Sequence, residues 1–233
     1  LENAAAFRVK PPDAKTFIAS LPCFRTGFRP MTDPASEFDP QPPPRVGRLK
    51  LHALGAGSAI GMTLLAVVIW WWRDVPWSEP FASEAPLWLQ IAGGAALGLL
   101  FAAGITVAEF AFPVFKEIED FGRQIFQAVR PRWWDLLIIS VGAGWGEEVL
   151  FRGAIQPVLG IWPAALLFML VHGTWTRLTP GFFAYTLLLL FAGAALGYLS
   201  QWLGLAAAMT AHGVYDFAVL LFFGLELRRR GEL

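Results

Sequence analysis

The chain has 233 residues and a formal net charge of +0, with 56% hydrophobic and only 15% charged residues, against about 25% charged in an ordinary soluble domain. Eleven Trp and 20 Phe are more apolar side chain than a soluble domain of this size can hide, and the lack of a long basic stripe excludes a nucleic-acid binder. A single Cys, Cys23, excludes an internal disulfide, so the chain reads as an integral membrane protein, an all-α polytopic helical bundle.

Residues 1–50 differ from the rest. They hold nine of the 17 prolines and eight of the 18 Lys and Arg, and the run Pro40, Gln41, Pro42, Pro43, Pro44 favours extended backbone. No signal peptide is expected there, since no early apolar run follows the basic residues. The expectation is a Pro-rich cytoplasmic arm that contacts the membrane or a partner complex, with Cys23 a passenger. A membrane-spanning domain follows over 51–227, its motif-bearing core at 131–224, and a basic tail over 228–233.

A spanning helix needs about 20 mostly apolar residues. Six segments meet or approach that: 51–72, 87–111, 133–151, 158–175, 181–200 and 203–224. Between the second and third, residues 114–130 read as an amphipathic helix. Phe115, Ile118, Phe121, Ile125 and Val129 recur at three- and four-residue steps, while Lys116, Glu119, Asp120 and Arg123 fill the other side, as in an interfacial helix. Trp70, Trp71, Trp72, Trp77 and Trp88 fit an outer aromatic belt, and Trp133 and Trp134 an inner one. Basic residues precede the first segment (Arg45, Arg48, Lys50), precede the third (Lys116, Arg123, Arg130, Arg132) and follow the last (Arg228, Arg229, Arg230). That alternation expects both termini on the cytoplasmic side. Gly93, Gly94, Gly98 and Gly104 in the second segment, and Gly193 and Gly197 in the fifth, read as close helix packing.

The last four segments carry groups that hydrocarbon disfavours by at least about 2.5 kcal/mol each: Glu147, Glu148, Arg152, His172, His212 and Asp216. His52, the third His, sits at the start of the first segment and reads as interfacial. Glu148 and Arg152 are i and i+4, so Arg152 neutralises one carboxylate. Glu147, about 100° round the helix, is left free for chemistry. His212 and Asp216 share a face, as do Phe168 and His172. Flanking Gly142, Gly144, Gly146, Gly153, Gly173 and Gly213 are expected to leave room for water or a peptide backbone. Amide hydrolysis needs an activated water, donors for the oxyanion and an acid for the leaving amine. A carboxylate in an apolar cavity is driven towards its protonated form, which suits it to exchange a proton near neutral pH. A Ser or Cys nucleophile is not expected.

Glu147–Arg152 reads EExxxR, Phe168–His172 reads FxxxH and His212–Asp216 reads HxxxD. In that order on separate apolar helices, they resemble the three motifs of the CPBP family. That family comprises the CAAX prenyl endopeptidases of the Rce1 type and bacterial relatives that include bacteriocin-processing and abortive-infection proteins. The resemblance covers residues 131–224 and implies a metal-independent intramembrane glutamate endopeptidase without a cofactor. It implies Glu147 as the base that activates water, with His172 beside it. Glu148 and Arg152 support it, and His212 and Asp216 hold the oxyanion. The family pattern allows Asn or Asp at the place of Asp216, the structurally studied members carry Asn, and an ionised Asp cannot donate to an oxyanion. Asp216 is therefore expected either to be protonated or to orient His212.

Three other readings stand beside this one. Glu147, His172, His212 and Asp216 form a four-ligand set for zinc, although HExxH is absent. The cluster also suits a non-catalytic membrane subunit of a larger complex, or a proton-coupled transporter. The expected substrate is a membrane-embedded or lipidated peptide or protein, and the expected location a bacterial inner membrane.

Overall fold

The computed structural model describes residues 47–233, and within them the regular structure is helical. The expectations for the N-terminal arm lie outside the described residues, except that Arg48 and Lys50 already belong to the first helix. The long elements in chain order are α1 (Arg48–Trp72), α2 (Leu87–Ala111), α3 (Lys116–Val129), α4 (Trp133–Leu150), α5 (Gln156–Leu159), α6 (Ile161–Val171), α7 (Pro180–Leu203) and α8 (Leu205–Arg229). A π turn, Phe151–Ile155, joins α4 to α5 without a break.

Among the described residues, four helices are long and apolar enough to cross a membrane: Arg48–Trp72, Leu87–Glu109, Pro180–Leu203 and Leu205–Arg229. The six expected segments are corrected at two places. The third is a continuous helical stretch from Trp133 to Leu159, but Asp135, Glu147, Glu148 and Arg152 interrupt its apolar character. The fourth is only the 11 residues Ile161–Val171, about 16 Å of helix against a core of about 30 Å. It stops at His172, because Gly173 adopts φ 67° and turns the chain away. Outward-facing apolar side chains fit a membrane protein: Leu64 and Leu99 are 60% and 56% exposed.

The bundle is assembled through glycines. In lipid, helices associate by close van der Waals packing and not by burial from water. The most extensive contact is α2 against α8, and a Cβ at Gly98 would come 2.5 Å from the Ala211 carbonyl oxygen. Gly94 meets the Ala207 carbonyl in the same way. Gly144 seats α4 on α8, 2.8 Å from Gly213 N by the same measure, and Gly146 seats it on α1, 2.7 Å from Ala59 Cα. These two glycines therefore bring helices together and do not leave room for water. Gly104 does the reverse of what its row implies: nothing lies within 4 Å of its would-be Cβ, and it lines a cavity.

Two anchors fix α4 in register. At its start Asp135 is fully buried and accepts from Arg48 Nε at 2.9 Å and Nη2 at 3.1 Å. It lies 2.7 Å from His52 Nε2 and caps its own helix through Arg132 N at 2.8 Å. His52 is thus a tie between α1 and α4. At the far end Pro157 has no N–H to give the Gly153 carbonyl its helical bond. The Gln156 N–H reaches back to Phe151 O, which makes the π turn. Trp70 Nε1 donates to Gly153 O at 2.9 Å. Trp70 is 5% exposed and so is no part of a belt, unlike exposed Trp71, Trp72, Trp77 and Trp88. α3 lays Phe121 and Phe126 against Phe182 and Phe223 at ring distances of 5.8 and 5.2 Å. Its apolar face is therefore shared with α7 and α8.

Candidate active site

All six expected side chains converge, from α4 and the π turn after it, the C-terminal end of α6, and α8. Glu148 is fully buried in the last turn of α4. Arg152, in the π turn, places Nε 3.1 Å from Glu148 Oε2. Its Nη2 donates to Gly193 O on α7 at 3.0 Å, and its guanidinium lies 4.6 Å from the Phe168 ring centre. Gly193 therefore does more than pack, since its carbonyl orients the arginine. A buried pair survives desolvation only with such added partners.

The other oxygen of Glu148, Oε1, lies 2.7 Å from His212 Nδ1 on α8. A carboxylate paired to an arginine accepts, so Nδ1 carries the proton. This corrects the expected division of labour: Glu148, not Asp216, sets the His212 tautomer. Asp216 Oδ2 stands 3.5 Å from the opposite nitrogen, Nε2. His172 is fixed by its own backbone. Its Nδ1 is 2.7 Å from the Phe168 carbonyl, an acceptor, so Nδ1 carries the proton and Nε2 is bare. The Phe168 ring, 4.5 Å from the His172 ring and 6.1 Å from that of His212, walls the pair.

Glu147 faces both imidazoles. Its Oε2 is 3.8 Å from His172 Nε2 and 3.9 Å from His212 Nε2. Among the described residues that oxygen has no hydrogen-bond partner. Separations of this size between polar atoms are those a single water bridges. Glu147, Phe168, His172, His212 and Asp216 share a cavity of about 540 Å³ with Leu100, Phe101 and Ile105 of α2 and Leu188, Leu189 and Phe191 of α7. It forms because α2 and α7 scarcely touch. Its wall is mostly apolar, and Glu147, His172, His212 and Asp216 supply its ionisable groups.

Two further points bear on the alternatives. Ser140 lies inside α4, so the expectation against a serine nucleophile passes over a hydroxyl. That hydroxyl is buried without a partner and does not line the cavity. Among the described residues no three His, Cys, Asp or Glu side chains are grouped as metal ligands, so the zinc reading gains nothing from the geometry. The π turn, the Gly193 carbonyl and the cavity tyrosines Tyr185 and Tyr215 were not expected. Only the π turn left a mark in the sequence, at Pro157.

The cluster coincides with what the comparisons recognise. No solved structure matches the chain. Over 98 residues the chain is 30% identical to the uncharacterized protein YpbD of Bacillus subtilis (strain 168), a match that covers 42% of this chain and 50% of that protein. The chain thus spans about half the length of the curated relative it matches. Residues 129–218, the stretch that holds every side chain of the cluster, match the type II CAAX prenyl endopeptidase Rce1-like family.

Proposed function

We propose that the protein is an intramembrane endopeptidase that hydrolyses a peptide bond of a membrane-embedded or lipidated substrate through a water activated by Glu147. The observation that carries this reading is the Glu147 carboxylate, its Oε2 without a hydrogen-bond partner among the described residues, between two imidazoles in a mostly apolar cavity. Glu147 takes the proton of the attacking water, with the bare Nε2 of His172 holding that water's other hydrogen. The water oxygen bonds to the carbonyl carbon and the carbonyl electrons pass to its oxygen. His212, with Nδ1 held by Glu148, donates from Nε2 to that oxyanion in its doubly protonated form. Collapse breaks the C–N bond, and Glu147 returns its proton to the leaving amine. No metal enters these steps.

The third and fourth segments complete six crossings in this reading, the third as a polar helix and the fourth as a half-length one. Both termini face the cytoplasm of a bacterial inner membrane, and the N-terminal arm serves partner contacts. The Rce1-like match and the apolar cavity wall support a lipidated peptide as substrate.

The test is cleavage of a quenched-fluorescent peptide with a farnesylated cysteine by the full chain in liposomes, after exhaustive chelation. Glu147→Gln keeps shape and polarity and removes the base, so the rate is expected to fall by about 10²–10⁴-fold. Full turnover by that variant, or activity abolished by chelation and restored by zinc, sinks the mechanism. No cleavage by the wild-type chain of this peptide, or of an unlipidated transmembrane peptide, sinks the peptidase reading.

A further inference from the structure

The cavity holds two hydroxyls that this mechanism leaves idle. The chain has only three tyrosines, and two of them, Tyr185 on α7 and Tyr215 on α8, line the wall beside Glu147, His172, His212 and Asp216. The third, Tyr198, lies tilted against Trp202 at 5.4 Å and does not line the cavity. Neither cavity phenol has a hydrogen-bond partner among the described residues. Both tyrosines are only part-buried, so each hydroxyl is open to the cavity and to a partner that arrives there.

The same cavity is short of a donor. An oxyanion in a protein is ordinarily held by more than one. His212 offers Nε2 alone, since Nδ1 is committed to Glu148 at 2.7 Å. Asp216 is an acceptor when ionised, and stands 3.5 Å from that same Nε2. Tyr215 follows His212 by three residues and precedes Asp216 by one. Residues His212, Tyr215 and Asp216 therefore lie along one side of α8, at i, i+3 and i+4, and all three line the cavity.

We infer that Tyr215 is the second donor to the carbonyl oxygen of the substrate, taking the part that an amide at position 216 would otherwise play. The phenol keeps its proton and donates a hydrogen bond that strengthens as charge develops on the oxygen. The inference rests on the peptidase reading and adds to it a residue specific to the Asp216 version of the site.

The experiment measures kcat and KM of the full-length chain in liposomes on the farnesylated quenched peptide. It is paired with binding of the corresponding peptide aldehyde, whose hydrate mimics the tetrahedral intermediate, and of the unreactive alcohol. Tyr215→Phe is expected to lower kcat about 10- to 100-fold with KM within about threefold, and to weaken the aldehyde more than the alcohol. In the Asp216→Asn background, where the amide supplies the donor, the same Tyr215→Phe change is expected to cost less than about threefold. A wholly structural role for Tyr215 predicts equal losses in both backgrounds, and that outcome overturns the inference. So does an unchanged kcat in Tyr215→Phe while Glu147→Gln is inactive. A wild-type chain that neither cleaves the peptide nor binds the aldehyde overturns the peptidase reading and this inference with it.

Discussion

The joint between α4 and α5 offers the most direct test of how the site is held. Trp70→Phe removes the indole N–H that reaches Gly153 O at 2.9 Å. Pro157 has no N–H with which to replace it, so a buried carbonyl is stranded. A buried unsatisfied backbone group costs about 1–3 kcal/mol. Hydrogen bonds between membrane helices average nearer 0.6 kcal/mol, because the separated helices find other partners. The expected loss is thus about 1–3 kcal/mol, a drop of roughly 2–12 °C in melting temperature at this chain length. Some of it is the smaller ring, which also gives up an edge contact to Phe81 at 6.3 Å. Pro157→Ala separates the two contributions, since it returns an N–H to the carbonyl. Melting of the four proteins of the Trp70→Phe, Pro157→Ala cycle, purified in one detergent, should show a coupling of about 1 kcal/mol, with Pro157→Ala recovering part of what Trp70→Phe loses. Strict additivity, or a Trp70→Phe protein that melts with the wild type, refutes this account of the turn.

Two glycines on α2 should respond oppositely to the same change. Gly98→Ala drives a methyl to 2.5 Å from the Ala211 carbonyl oxygen and 3.1 Å from Val214 Cβ. It should therefore destabilise by about 1–3 kcal/mol, whereas Gly104→Ala, with nothing within 4 Å, should melt within about 0.5 kcal/mol of wild type; scanning fluorimetry in detergent reads both. Asp135→Ala removes a helix cap and the shared acceptor of Arg48 and His52. Its expected cost is about 1–2 kcal/mol, and a melting temperature equal to wild type would show that α1 is held to α4 by packing alone.

What the sequence made legible follows from local geometry. Glu148 and Arg152 sit one turn apart, and the pair forms at 3.1 Å. Glu147 sits next in sequence, and its Oε2 faces His172 and His212 with no hydrogen-bond partner among the described residues. Phe168–His172 and His212–Asp216 also follow from the helical period. What the sequence hid depends on partners distant along the chain. The carbonyl that holds Arg152 belongs to Gly193, and the carboxylate that fixes His212 is Glu148, 64 residues earlier. Helix length was misjudged where composition says nothing of ends. Residues 158–175 are apolar enough to span, yet Gly160 and Gly173, both at positive φ, cut out a helix of 11 residues. Asp135 reads as one more charge at a helix start until Arg48 and His52 are seen to meet there.

The shortness of α6 and the doubled glutamate solve one problem together. A carboxylate that is to activate water, as proposed for Glu147, must be free of hydrogen-bond partners, yet the helices around it must be held by polar contacts that would consume it. Adjacent positions on one α-helix point about 100° apart. Two consecutive glutamates can therefore serve opposite ends without competing. Glu148 turns inward and spends its oxygens on Arg152 and His212. Glu147 turns to the cavity and keeps Oε2 without a hydrogen-bond partner. The facing imidazole must then arrive at the same depth with a defined lone pair. A full-length fourth helix would carry His172 within a regular turn, its side chain one of many along a wall. Ending the helix there puts His172 at the cap, against the Phe168 carbonyl at 2.7 Å. That contact selects Nδ1 for the proton and Nε2 for the cavity. The free carboxylate and the bare nitrogen are thus both products of backbone geometry, which is why Glu147→Gln is expected to cost activity while leaving the fold nearly untouched.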